Sequence, residues 1–184
     1  MRPKILLNSE VHKKIMHFVN KSAYEVSGLG HVVKEADGIL RVVSCIMVPQ
    51  TNKKSHTEIT PEIFAKAMWE TREHAGDLRF WWHSHVKMGV FWSQEDRDTI
   101  KANAGKDGWF LNTVFNQKGE MKSCLQAAGL ELPWGKSGEV FLDDLDTSIY
   151  DGTQYPTKEW DEEYTKCCDN VDETKRFEST RDYY

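Results

Sequence analysis

His83 and His85 stand one residue apart in the run Leu78-Arg79-Phe80-Trp81-Trp82-His83-Ser84-His85, which is rich in strand-forming residues. Successive side chains of a strand point to opposite faces, so both imidazoles project to one side and can share a cation. Asp96 follows in the first turn of a helix whose start is marked by Ser93, three residues earlier, in the spacing of a capping box. Two neutral imidazoles and one carboxylate suit a single Zn²⁺ with a bound water, because catalytic zinc takes three protein ligands and keeps its fourth position open. The residual charge, about +1, would lower the pKa of that water toward about 7.

A hydrolase also needs a proton acceptor and a donor for the developing oxyanion. Glu25, in Tyr24-Glu25-Val26-Ser27-Gly28, lies at the junction of a helix and a strand and is the candidate general base. Ser93, one turn before Asp96, is the candidate oxyanion donor. Glu35 and Glu58 are also carboxylates near strand ends. A His-x-His pair alone is more often structural, and Ser93 with Asp96 alone is an ordinary helix cap; their joint spacing is what points to metal chemistry. Other His-x-His chemistries fit worse. No Asp-His follows the pair as in a metallo-β-lactamase, no His-x-Glu with Pro-Cys-x-x-Cys marks a deaminase, and 184 residues are too few for a barrel amidohydrolase. His12, His17, His31, His56 and His74 have no comparable partners and read as surface or core residues.

The elements that must position these groups follow from periodicity and punctuation. Asn8 or Ser9 caps a helix with Val11, Ile15, Phe18 and Val19 on one face, ending near Lys21. Two strand-like runs, 26–34 and 39–48, flank Asp37-Gly38, a hairpin turn signal. Thr60-Pro61 opens a second helix expected to run to Gly76, and the histidine strand and the Ser93 helix come next. A second hairpin, 109–116 with 120–127, turns at Gln117-Lys118-Gly119. The order α-β-β-α-β-α-β-β predicts an α/β domain over 1–130, a mixed twisted sheet flanked by helices, with 131–184 as an acidic extension, partly ordered or docked. The apolar turn 86–92 can form a wall of the substrate groove or pack against Trp81 and Trp82.

Composition sets the bounds. Seven Trp, six Tyr and eight Phe within 39% hydrophobic residues support a packed core. Residues 143–184 carry 13 Asp/Glu against five Lys/Arg, a net of −8, which leaves the first 142 residues at +3. No compact basic patch points to nucleic acid. No apolar run reaches the roughly 18–20 residues of a membrane span, and the start Met1–Asn8 is too short in its apolar part for a signal peptide, so the expected compartment is the cytoplasm. Four cysteines, two of them adjacent, do not make a disulfide framework.

The string His83-Ser84-His85, seven residues, Ser93, two residues, Asp96, with Glu25 upstream and Gly28 three residues after it, resembles the JAMM (MPN-plus) zinc metalloproteases. The resemblance spans about Lys4 to Ala128. It implies an MPN fold, one zinc held by His83, His85 and Asp96 plus water, Glu25 rather than Glu35 or Glu58 as general base, and Ser93 as oxyanion donor. It further implies hydrolysis of peptide or isopeptide bonds, often C-terminal to a ubiquitin-like protein; an extended or flexible C-terminal tail held beside the His83 strand by edge-strand addition is the physically expected way to bind such a substrate. The family's usual proline after the second histidine is replaced here by Val86. The apolar turn after it and the small chain look more like prokaryotic or bacteriophage members. The alternatives are a non-catalytic scaffold or assembly subunit of the same fold, and a processing protease for a phage structural protein.

Overall fold

The computed structural model describes residues 3–106, 108–129, 131–132, 135–136, 140–150 and 157–170. Ile5 and Leu7 alternate with less buried neighbours in β1 (Lys4–Asn8), and both are fully buried. Hydropathy did not separate this strand from the helix cap that follows, so the chain opens with a strand and not with the expected helix. The helix α1 (Ser9–Lys21) then buries Val11, Ile15, Phe18 and Val19, the face its sequence spacing marks.

The first hairpin, β2 (Ser27–Lys34) and β3 (Ile39–Met47), turns at Asp37 and Gly38 with φ of 60° and 75°. Asp-Gly is suited to that left-handed pair. Two short strands, β4 (Gln50–Asn52) and β5 (Thr57–Glu58), lead to α2 (Pro61–Glu70), whose N-cap Thr60 accepts the Ile63 N–H. The helix ends at Glu70 with Thr71 as its C-cap, short of the expected Gly76, and the Thr71 hydroxyl donates to the Ala67 carbonyl and also meets the buried His31 ring. Gly76, at φ +86°, passes so close to the Val32 carbonyl that a Cβ would lie 2.6 Å from it.

The histidine strand β6 (Asp77–Ser84) is followed by α3 (Gln94–Ala104), then β7 (Trp109–Phe115) and β8 (Met121–Ala127). After the small β9 (Glu131–Leu132) and β10 (Gly135–Lys136) ladder come β11 (Val140–Leu142), β12 (Thr147–Tyr150), α4 (Thr157–Cys167) and β13 (Cys168–Asn170). The main sheet is mixed and eight-stranded, in the order β11-β8-β7-β6-β2-β3-β1-β12, and the small one is β13-β4-β5. Four α-helices among the described residues accompany them, so the class is α/β with a helix-flanked mixed sheet.

Two apolar clusters contain the core. One joins β1 and α1 to Phe80 and Trp82; the other joins α2 and α3 to Leu29, Trp81 and Trp92. Strand alternation sends Phe80 and Trp82 one way and Trp81 and His83 the other. Gly28 permits this packing, since a Cβ there would sit 2.6 Å from the Trp82 ring. The four cysteines are free thiols.

The described part of the acidic extension packs on the body. Strands β11 and β12 close the two edges of the main sheet, and α4 lies against α1 with Trp160, Tyr164 and Cys167 buried. Its acids meet the bases of α1, with Lys14 to Glu163 and Lys21 to Asp161 both 2.6 Å apart. Part of the extension's negative charge is therefore matched internally. No described helix is long and apolar enough to cross a membrane. The run Pro133-Trp134 and the last residues, 171–184, lie outside the described residues.

Candidate metal centre

Strand β6 brings His83 to the end of the sheet, and His85 lies just past its last residue. Its N–H still reaches the Phe115 carbonyl at 2.9 Å, so the ladder to β7 fixes its backbone. Ser84, between them, accepts the Val26 N–H on its hydroxyl and donates its own N–H to the Val26 carbonyl. This clamps the Glu25 segment against the ligand strand. From the other side the Glu25 N–H reaches the Lys53 carbonyl and Asn52 Nδ2 donates to the Glu25 carbonyl. Gln50 and Asn52, both buried, complete that support by bonding the Ser27 backbone and each other. Their roles depend on pairing across the fold, and no sequence spacing announces them.

Helix α3 delivers Asp96. The Ser93 hydroxyl accepts the Asp96 N–H at 3.1 Å, and Asp96 Oδ2 accepts the Ser93 N–H at 2.8 Å, a complete capping box. The same carboxylate faces both imidazoles: His83 Nε2 is 3.1 Å from Oδ1 and His85 Nε2 is 3.4 Å from Oδ2. The two Nε2 atoms are 3.2 Å apart. Cap and cluster member are thus one residue.

This buried His83, His85, Asp96 group can hold a metal ion. A tetrahedral zinc with Zn–N bonds of about 2.0–2.1 Å separates its ligand atoms by about 3.3–3.4 Å, close to the spacings here. His85 Nδ1 lies 3.1 Å from the Gly89 carbonyl, a partner that keeps the proton on Nδ1 and turns the Nε2 lone pair inward. The His83 ring is fully buried, its Nδ1 has no hydrogen-bond partner among the described residues, and its polar neighbours are His85 and Asp96. Trp81 stacks on it at 4.4 Å and 17°. The Nε2 spacings and the His85 Nδ1 bond fit a ligand set, whereas His83 Nδ1 lacks the outer partner that commonly orients a metal-bound imidazole.

The electrostatics agree. Burial opposes charge on Asp96, yet the hydrogen bonds from His83, His85 and Ser93 hold its carboxyl well below the usual carboxylate range. Burial lowers His83. Against the same burial, Asp96, the Gly89 carbonyl and Glu25 raise His85. Glu25, itself buried, is pushed up to about 7, first by desolvation and then by the charges of Asp96 and Glu95, with His85 pulling the other way. A carboxylate that titrates near neutrality is suited to proton transfer.

Glu25, Ser93, Trp81 and the three cluster residues all line one cleft of about 190 Å³. Glu35 is tied to Arg41 and lies elsewhere, and Glu58 lines a neighbouring recess. His56 and Glu95 meet across the rim at 3.1 Å, an arrangement that no sequence signal marks. No residue of 140–150 or 157–170 lines the cleft; the extension instead supports it through β13, which pairs with β4.

The turn after His85 is divided in its roles. Trp92 is buried and donates to Asp143, while Met88 and Phe91 are exposed along the cleft. Val86 has φ +49°, a region that β-branched residues rarely occupy. Bonds from Gln117 N–H to the Val86 carbonyl and from Asn116 to the Met88 carbonyl hold it there. Proline, fixed near φ −65°, cannot take this conformation, so the valine goes with a differently shaped turn. Val86→Pro is expected to destabilise the protein by about 3 kcal/mol, read by urea unfolding; an unchanged midpoint would contradict this turn geometry.

A buried carboxyl raised from 4.5 to about 7 also has a stability consequence. The folded state binds that proton more tightly, so stability falls as pH rises from about 4.5 to 7. For chelator-treated protein the Glu25 contribution between pH 5 and 8 is roughly 2–3 kcal/mol. Urea unfolding at both pH values should show that loss in the wild type and its absence in Glu25→Gln. Equal pH dependence in the two would remove the assignment.

No protein-family model and no curated protein matches the sequence.

Proposed function

We propose that the chain is a zinc-dependent hydrolase of peptide or isopeptide bonds, of the JAMM type with its MPN fold, acting on the extended tail of a protein substrate such as a ubiquitin-like protein. The observation that carries this reading is the convergence in one cleft of three ligand-type side chains, a buried glutamate with a near-neutral pKa and a capping serine. Zinc, bound by His83, His85 and Asp96, would polarise the scissile carbonyl and acidify its water. Glu25 takes the proton from the attacking water and passes it to the leaving amine. Ser93 already accepts the Asp96 N–H, which leaves its own O–H to donate toward the developing oxyanion. Trp81 keeps bulk water from the His83 side.

The substrate tail cannot lie beside the His83 strand as a new edge, because β6 is interior, paired on both sides by β2 and β7. Beside the cleft, β5 is the edge of its sheet among the described residues and offers main-chain groups for strand addition. The test is incubation of zinc-loaded and chelated protein with ubiquitin-like fusions and flexible-tail peptides. Hydrolysis should vanish on chelation and return with one equivalent of zinc. Stoichiometric zinc without any hydrolysis would favour the scaffold.

A further inference from the structure

The cleft continues on both sides of the metal cluster. On one side it opens into a recess of about 560 Å³, bordered in common by Ser55, His85 and Met88. On the other it opens into a recess of about 420 Å³, bordered in common by His56, Thr57, Trp81 and Thr99. The turn from β4 to β5 runs past all three spaces in sequence order, Lys54 and Ser55 at the first, His56 at the second and Glu58 at the third.

The two flanking recesses differ in chemistry. Lys21, Lys54 and Lys87 line the first, and no Asp or Glu does. Lys21 is committed to Asp161, whereas Lys54 and Lys87 are exposed and form no ion pair among the described residues. The second recess has an apolar floor of Leu29, Ile59, Phe64 and Trp81. A bound chain crossing the metal cluster must therefore meet cations on one side and apolar surface on the other.

We infer that the substrate carries an acidic group on one side of the scissile amide and a large apolar side chain on the other, seated against Lys54 and Lys87 and in the Leu29–Phe64–Trp81 recess respectively. This rests on the hydrolase reading and specifies its substrate class. Apolar burial supplies the larger share of the affinity, and the lysines set register and direction, in a salt-dependent way.

The test uses the full, zinc-loaded chain carrying Glu25→Gln, so that binding is read without turnover. Fluorescence anisotropy is measured with labelled peptides of equal length that hold a Gly-Gly core between one Leu and one Glu, in both orders. The better order should bind about tenfold more tightly than its Glu-to-Lys peptide and than its Leu-to-Ala peptide. Adding Lys54→Glu and Lys87→Glu, both at exposed positions, should reverse the first preference and leave the second. Equal affinities for all peptides, an unchanged charge preference in the lysine variant, or no binding would overturn the assignment. Wild-type cleavage of tails is measured separately. Hydrolysis without these preferences sinks the substrate class and leaves the hydrolase reading, and the preferences without hydrolysis do the reverse.

Discussion

Replacing Glu25 by glutamine should lower kcat/KM for a cleaved tail by about 10³-fold or more, on the order of 4 kcal/mol of barrier, while one zinc per chain is retained. Glu25 stands beside the cluster and is not one of its three members, so on the proposed mechanism the amide removes the proton acceptor and leaves the cluster intact. The variant should also be no less stable than the wild type, because an uncharged amide avoids the desolvation that pushes the carboxyl up to about 7. A loss of less than tenfold would move the proton transfer to another group, with Glu95 the remaining carboxylate that lines the cleft outside the cluster.

Asp96→Asn separates two roles that one side chain holds. The amide oxygen can still accept the Ser93 N–H, so the helix cap persists, and the stability the metal-free protein loses is that of the His83 and His85 contacts that hold the carboxylate charged. As a metal ligand, the neutral amide is a much poorer donor than the carboxylate. Zinc affinity should fall at least 100-fold, more than the loss of an outer-shell partner brings, and activity with it. Competition with a chromophoric chelator measures the first, and urea unfolding of the metal-free protein the second. Unchanged zinc affinity would return Asp96 to the status of an ordinary cap.

Much of this centre was legible in the sequence because its parts are local. His83 and His85 share a face through strand alternation, and Ser93 with Asp96 are spaced as a helix start, two rules that act over three residues or fewer. The hairpins at Asp37-Gly38 and Gln117-Gly119 were legible for the same reason. Long-range relations were not. Strand β1 finds its place only by pairing with β3 and β12, the latter some 140 residues along the chain. In sequence the acids of α4 show only as part of a net negative extension, and nothing near them announces that Lys14, His17 and Lys21 face them. Gln50 and Asn52 are ordinary polar residues in sequence and become buried struts only when β4 meets the end of β2. Val86 is a further case, since a left-handed valine is held by the β7–β8 turn and by nothing near it in sequence.

X-ray absorption at the zinc edge of the purified chain, with metal content measured on the same sample, is the most direct test. One zinc per chain with two imidazoles and light oxygen donors, lost in His83→Ala, is the expected result. A preparation that takes up no zinc under saturating conditions, or binds it equally well without His83, would contradict the centre from which the whole functional reading is built.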